Sequence, residues 1–238
     1  MKKLRSFAIV DYLKQKKYCS IEDLARHFKV SGATMYRDIS ELALRNVVQR
    51  VYGGVVFQEH STPSNSLAHP PFQERIICNQ DKKEAIAAQA LGLIGENDIL
   101  FLDSSTTVYH LALLLETSNF SNLTIITNSV AIIQNFHKYP PHYVRIGLGG
   151  SYDIQLNAFL GQSTLRQLED LEISKAFISA FGVGDDKATS NHEFHTGLLR
   201  KVMELAERKY LLADHSKYNR SGLFRIAQCR AFNEIISD

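Results

Sequence analysis

Val30-Ser31-Gly32-Ala33-Thr34-Met35-Tyr36-Arg37-Asp38-Ile39 is the stretch on which the reading of this 238-residue chain turns. Ser31 stands where a helix N-cap belongs, because its hydroxyl can accept from an early backbone N–H. The apolar spacing after it predicts a helix from about Gly32 to Arg45, with Met35, Ile39 and Leu42 on the inner side. Upstream, Ser20-Ile21-Glu22-Asp23 opens a shorter helix whose stripe is Leu24, Ala25 and Phe28. Before that, Leu4, Phe7, Ala8, Val10 and Leu13 recur at helical spacing between Lys3 and Lys16. Short helix, tight turn and capped helix in that order is the helix-turn-helix pattern. Downstream, Val47 to Tyr52, Gly53-Gly54 and Val55 to Phe57 read as a β-hairpin, the two glycines supplying the positive φ angles of a two-residue turn; such a hairpin is a wing.

In folds of this kind the third helix enters the major groove. Its outward residues Gly32, Ala33, Thr34, Tyr36 and Arg37, the capping Ser31 and the wing residue Arg50 are therefore the candidate DNA contacts. Arg37 has the alternative of pairing with Glu41 on its own helix, and Tyr36 that of packing on the wing. Charge agrees with the assignment. Residues 1–57 hold eleven Lys or Arg against five Asp or Glu, whereas residues 58–238 hold sixteen against twenty, so a basic module precedes a mildly acidic one. Lys2, Lys3, Lys14 and Lys17 add attraction to phosphates that carries no sequence information.

The rest of the composition excludes several classes. No apolar run approaches the eighteen or so residues of a membrane span, and the basic start lacks the apolar core of a signal peptide, so a cytoplasmic location without membrane contact is expected. Cys19, Cys78 and Cys229 are odd in number and far apart, which favours neither a disulfide framework nor a zinc site. His192 and His195 are three apart, but without further ligands they read as surface residues. No metal or cofactor is expected.

Residues 58–73 lack periodicity and hold three of the five prolines, so they are read as a linker between a domain over 1–57 and one over 74–238. Beyond it, helices (82–94, 107–115, 130–137, 164–171, 198–208) alternate with apolar strands (98–103, 123–127, 143–148, 176–181, 210–213). That alternation predicts an α/β fold, a mostly parallel sheet with helices on both faces. Such sheets bind ligands beyond the carboxyl ends of their strands. Polar or glycine runs stand at four such ends: Asp103-Ser104-Ser105-Thr106-Thr107, Thr127-Asn128-Ser129, the glycines Gly149 and Gly150, and Asp214-His215-Ser216-Lys217. Hydroxyls and free amides at a helix start cradle phosphate; the same residues also serve as ordinary helix caps.

The run 30–39, with Gln49-Arg50-Val51-Tyr52-Gly53-Gly54, resembles the DNA-binding signature of DeoR-family repressors of sugar metabolism, with Tyr36 where that family has a first arginine. The four strand-end runs resemble the loops of the DeoR effector domain, with Ser105 where glycine is usual, so the likeness spans nearly the whole chain. It implies a winged helix-turn-helix followed by a Rossmann-like domain similar to ribose-5-phosphate isomerase, with a phosphorylated sugar as effector. Asp185 joins Asp103, Ser104, Ser105, Thr106, Thr107, Thr127, Asn128, Ser129, Gly149, Gly150 and Lys217 as an effector candidate on this resemblance, although Gly182-Val183-Gly184-Asp185 departs from the family's pattern there. It also implies double-stranded operator DNA as partner, a homo-oligomer (dimer or tetramer), and a further element beyond Ile235-Ile236. The rival is a sugar-phosphate isomerase using Asp185, Asp186, Glu193 and Lys187 or Lys217 for proton transfer. A basic winged helix has no use in such an enzyme, and the expectation is a regulator.

Overall fold

Two serine caps set the front of the chain. In the computed structural model, which describes residues 2–16, 18–44, 48–51, 54–57 and 70–238, the chain divides into units over 1–66 and 67–238. In the first, α1 (Lys2–Lys16), β1 (Tyr18–Cys19), α2 (Ile21–His27) and α3 (Gly32–Leu44) precede β2 (Val48–Val51) and β3 (Gly54–Phe57). Ser20 Oγ accepts from the Asp23 amide at 3.0 Å, and Ser31 Oγ from the Thr34 amide at 3.2 Å. Ile9, Leu13, Leu24, Met35, Ile39, Leu42 and Val55 fill the core. The inward positions of α1 thus include Ile9, one residue from the expected Ala8, which is exposed. Asp38 is 2% exposed on the inner side of α3 and accepts from Arg5 Nε at 2.7 Å, an ion pair that ties α1 to the middle of α3.

The wing needs its second glycine for a different reason from the one expected. Val51 pairs with Gly54 across the β2–β3 ladder, while Tyr52 and Gly53 lie outside the described residues. Gly54 is itself a paired strand residue. Strand β1, too short to read in the sequence, runs against β3 (sheet order β1-β3-β2), and a Cβ on Gly54 would stand 2.5 Å from the Cys19 carbonyl oxygen. Of the expected linker, residues 58–69 also lie outside the described residues, while Phe72 and Gln73 belong to a helix.

The second unit runs α4 (Phe72–Ile77), α5 (Gln80–Leu91), β4 (Ile99–Leu102), α6 (Thr106–Leu115), β5 (Thr124–Thr127), α7 (Val130–Gln134), β6 (Val144–Gly147), β7 (Ser151–Asp153), β8 (Ala158–Leu160), α8 (Gln162–Glu169), β9 (Ile173–Ile178), β10 (Gly182–Gly184), β11 (Lys187–Ser190), α9 (Glu193–Leu205), β12 (Ala206–Leu212), β13 (Phe224–Gln228) and β14 (Glu234–Ile236). A six-stranded sheet of order β14-β12-β9-β4-β5-β6 is parallel throughout. Its strands read as apolar runs because both faces are covered. Phe101, Ile126, Ala176 and Leu211 face Leu168, Leu198 and Val202 of α8 and α9, whereas Leu100, Leu102, Ile125 and Phe177 face Ile86, Val108 and Leu111 of α5 and α6.

Boundaries moved where backbone pairing outweighs side-chain character. β12 begins at Ala206, opposite Ile173, and carries exposed Glu207 and Arg208 before its apolar half, so α9 ends three residues earlier than polarity indicates. β9 ends at Ile178 and not at Phe181. The chain adds β4, β5 and β6 in one direction, then returns to the other side of β4 with β9, β12 and β14. The two carboxyl ends on either side of that reversal, of β4 and β9, are where a crevice opens in a sheet of this kind.

Candidate functional site

On α3, Gly32, Ala33, Tyr36 and Arg37 are exposed, opposite the buried Met35, Asp38 and Ile39. A side chain on Gly32 would meet nothing within 4 Å, so this corner of the helix is open to close approach. Ser31 and Thr34 are engaged in the cap, their hydroxyls 2.8 Å apart. Arg50 lies on β2, and its side chain is outside the described residues. The face that α3 turns outward therefore offers small residues at its first turn, then the Tyr36 phenol and the Arg37 guanidinium, groups able to meet phosphates and base edges.

The crevice at the chain reversal is a cleft with about 460 Å³ of empty space, counted to its open mouth. Its floor is the loop after β4. Asp103 is fully buried and accepts from the amides of Ser105 (2.8 Å) and Ser179 (2.9 Å), tying the ends of β4 and β9 together. Burial pushes its carboxyl up to about 6. Ser105 caps α6 by accepting from the Val108 amide at 3.2 Å, and Thr106 and Thr107, the first residues of the helix at its positive end, line the cleft. The residue that replaces a glycine thus acts as the N-cap.

Two cations line the same cleft. Lys217 comes from the 3-10 turn 215–217 after β12, and burial pushes its ammonium down to about 8. Arg75 comes from α4; burial pushes it down to about 10, opposed by Asp103 and Asp153. Its Nε donates to the Pro70 carbonyl at 3.0 Å and its Nη2 to that of Gln155 at 3.3 Å. Among the described residues no carboxylate lines the cleft. The remaining wall includes Ser179, Phe181, Ser190 and His195. His195 is buried and not on the surface as its spacing from His192 was read; burial, then His192 and Arg75, push its imidazole down to about 3.

Of the effector candidates, Ser104, Ser105, Thr106, Thr107 and Lys217 line this cleft, and Asp103 supports them from beneath. The others do not. Thr127 Oγ1 donates to the Leu102 carbonyl at 2.6 Å and accepts from the Ser129 amide at 3.0 Å, while Asn128 Nδ2 donates to the Phe159 carbonyl at 3.1 Å, so this run fastens β8 to the end of β5. Ser129 caps α7. The Gly149 carbonyl accepts from Thr164 Oγ1 at 2.8 Å, and a Cβ on Gly150 would stand 2.6 Å from the Leu160 carbonyl oxygen; these glycines serve packing. Asp185 and Asp186, with φ of 48° and 58°, form the exposed turn between β10 and β11. The isomerase alternative loses its carboxylates by the same observation, since Asp185, Asp186 and Glu193, like Lys187, are exposed and do not line the cleft; of its proposed proton carriers Lys217 alone does. Arg75, Ser179, Ser190 and His195 escaped the sequence reading; Ser179 alone had a signal, being the polar residue at the true end of β9.

Among the described residues no group of His, Cys, Asp or Glu is arranged to hold a metal ion, and no helix is long and apolar enough to cross a membrane. The DeoR-like helix-turn-helix domain matches residues 5–61, and the DeoR C terminal sensor domain matches residues 78–238. The chain is 33% identical to the HTH-type transcriptional regulator IolR of Bacillus subtilis (strain 168), over 95% of this chain and 87% of that protein. It is 32% identical to the L-fucose operon activator of Haemophilus influenzae, covering 98% and 91%, and 28% identical to the glycerol-3-phosphate regulon repressor of Escherichia coli (strain K12), covering 98% and 90%. A D-ribose-5-phosphate isomerase solved with phospho-erythronic acid overlaps at a TM-score of 0.43 and 16% identity, over 58% of this chain and 54% of that one, too slight a likeness to carry an argument.

Proposed function

The chain belongs to the DeoR family of transcription regulators, and on that premise we propose that it represses a sugar-metabolism operon until a phosphorylated sugar occupies the cleft between Arg75 and Lys217. It is a DNA-binding regulator and not an enzyme. In the proposed division of labour, Ser31, Gly32, Ala33, Thr34, Tyr36 and Arg37 of the capped helix, with Arg50 of the wing, meet the operator. Ser104 to Thr107, Arg75 and Lys217 meet the effector. The effector half is carried by one observation, the convergence of an ammonium, a guanidinium and the positive end of α6 on a cleft lined by no carboxylate among the described residues. The names of the relatives include both an activator and repressors. We take repression as the sign because several of these relatives are named repressors; a ligand that prefers the DNA-incompetent arrangement then releases the operator by that differential affinity. Action as a dimer or tetramer belongs to the same reading, since paired half-sites match a two-fold protein.

The test is titration of the full chain onto its own promoter fragment. Affinity falls steeply with salt as phosphate contacts release counterions. A sugar phosphate releases the wild-type complex but not that of Lys217→Ala or Thr106→Ala. Binding indifferent to salt removes the DNA half of the proposal; release that survives both substitutions puts the effector elsewhere.

A further inference from the structure

His195 sits in the first turn of α9 at 8% exposure and lines the cleft, yet its Nε2 is shut from solvent and has no hydrogen-bond partner. Ser104 Oγ, from the loop after β4, is in the same position: on the lining, 1% exposed and unpartnered. Buried polar atoms in folded proteins find partners, and the ones that do not call for a reason. Here two of the side chains that carry such atoms, from elements far apart in sequence, line one cleft. A ligand seated there, with a small turn of either side chain toward it, would supply the missing partner.

We propose that His195, together with the Ser104 hydroxyl, selects the ligand by its uncharged hydroxyl-bearing skeleton, while Arg75, Lys217 and the amides of α6 hold its anionic end. This rests on the reading of the cleft as an anion site. The imidazole is neutral near pH 7, since burial pushes it down to about 3, so it contributes no charge to holding a phosphate. A neutral imidazole presents Nε2 as donor or acceptor according to tautomer, which suits a hydroxyl. Leu156 and Phe181 add apolar wall for the C–H faces of the same molecule. The class of ligand that follows is a monophosphate of a polyhydroxylated chain. A site with buried hydrogen-bonding groups rejects an analogue that lacks their partners far more strongly than an apolar pocket discriminates by size.

The experiment is calorimetric titration of the full chain with inorganic phosphate and with a panel of pentose and hexose monophosphates, in wild type, His195→Leu and His195→Gln. The expected result is that His195→Leu weakens the tightest sugar phosphate by about tenfold or more while inorganic phosphate changes by less than about twofold, and that His195→Gln recovers part of the loss. A second measurement does not depend on how the variants fold: in wild-type protein carrying ring-labelled histidine, the His195 nitrogen resonance moves on saturation with the tightest sugar phosphate and stays in place with inorganic phosphate. Equal loss for both ligands, or no loss and no shift, overturns the inference. A panel in which no sugar phosphate binds more tightly than inorganic phosphate overturns it too, but leaves the anion site standing. If neither class binds, the anion site itself falls.

Discussion

Lys217 gives the sharpest test of the cleft, because its ammonium must do its work from a place that disfavours charge. Burial is the main cause that pushes it down to about 8; Asp214 opposes, and Arg220 and Arg75 add to the fall. At about pH 7 roughly nine-tenths of the free protein therefore carries the charge, and above about pH 8 the charged fraction falls about tenfold per unit. A ligand that needs the ammonium then binds with an apparent Kd that rises in the same proportion, about tenfold per pH unit. Removing the group with Lys217→Ala forfeits a charge-assisted hydrogen bond of about 1.5–3 kcal/mol, or roughly 10–150-fold in Kd. Lys217→Arg is the discriminating variant, since a guanidinium stays charged throughout: binding is weakened by the changed geometry, but the alkaline decline disappears. The assay is calorimetric titration of the full chain with a sugar phosphate from about pH 7 to 10, where the ligand is already a dianion. Lys83 is also pushed down to about 8 by burial, and it donates to the carbonyls of Arg75 and Cys78. Lys83→Met is therefore the control. An alkaline decline that persists in Lys217→Arg and vanishes in Lys83→Met refutes the assignment of the anion's partner to Lys217.

Three further outcomes are expected. Arg37→Ala weakens binding to the specific operator by about 1–3 kcal/mol, whereas its effect on nonspecific duplex is small, as competition binding at fixed salt will measure. Gly54→Ala forces a methyl group to within 2.5 Å of the Cys19 carbonyl oxygen and destabilises the winged unit by about 1–3 kcal/mol, read from its denaturant midpoint; an unchanged midpoint contradicts the tight β1–β3 approach. For His195, the unfolded chain takes up the proton first, near the ordinary 6.5, while the folded value is about 3. The His195 contribution is therefore fully present above about pH 6.5 and is lost at about 1.4 kcal/mol per unit below it, while Asp103, raised to about 6, contributes the opposite slope between about pH 6 and 4; the check is the difference between wild type and His195→Gln in circular dichroism melts, which grows as pH falls below about 6.5.

Much of this was legible before any coordinates. The serine caps, the apolar spacing of α3 and the alternation of helices with uninterrupted apolar strands are local signals, and local hydrogen bonds and burial decide them. The loop after β4 could be found for the same reason, since a hydroxyl-rich strand end opening a helix is a short-range pattern. What stayed hidden is non-local. Thr127, Asn128 and Ser129 have the same look as Ser104 to Thr107, but their polar groups are consumed by Leu102 and Phe159, residues 25 and 31 positions away. Gly149 and Gly150 read as room for a ligand, and it is Thr164 and Leu160 that occupy it. Arg75 and His195 enter the cleft from α4 and α9, and nothing in their neighbours announces it. The expected role of Gly54 failed on register: one residue's shift in the hairpin moved it from turn to ladder.

Arg75 also hydrogen-bonds to the Pro70 carbonyl, one turn upstream of itself. A guanidinium is planar and rigid, so it swings as a whole and cannot bend toward one neighbour while staying still for another. Any anion that rotates it therefore disturbs the Pro70 and Gln155 carbonyls together, one just ahead of α4 and the other in the loop between β7 and β8. Chemistry in the crevice and the seating of α4 against the β7–β8 loop are geared to a single side chain, so altering that side chain changes both together.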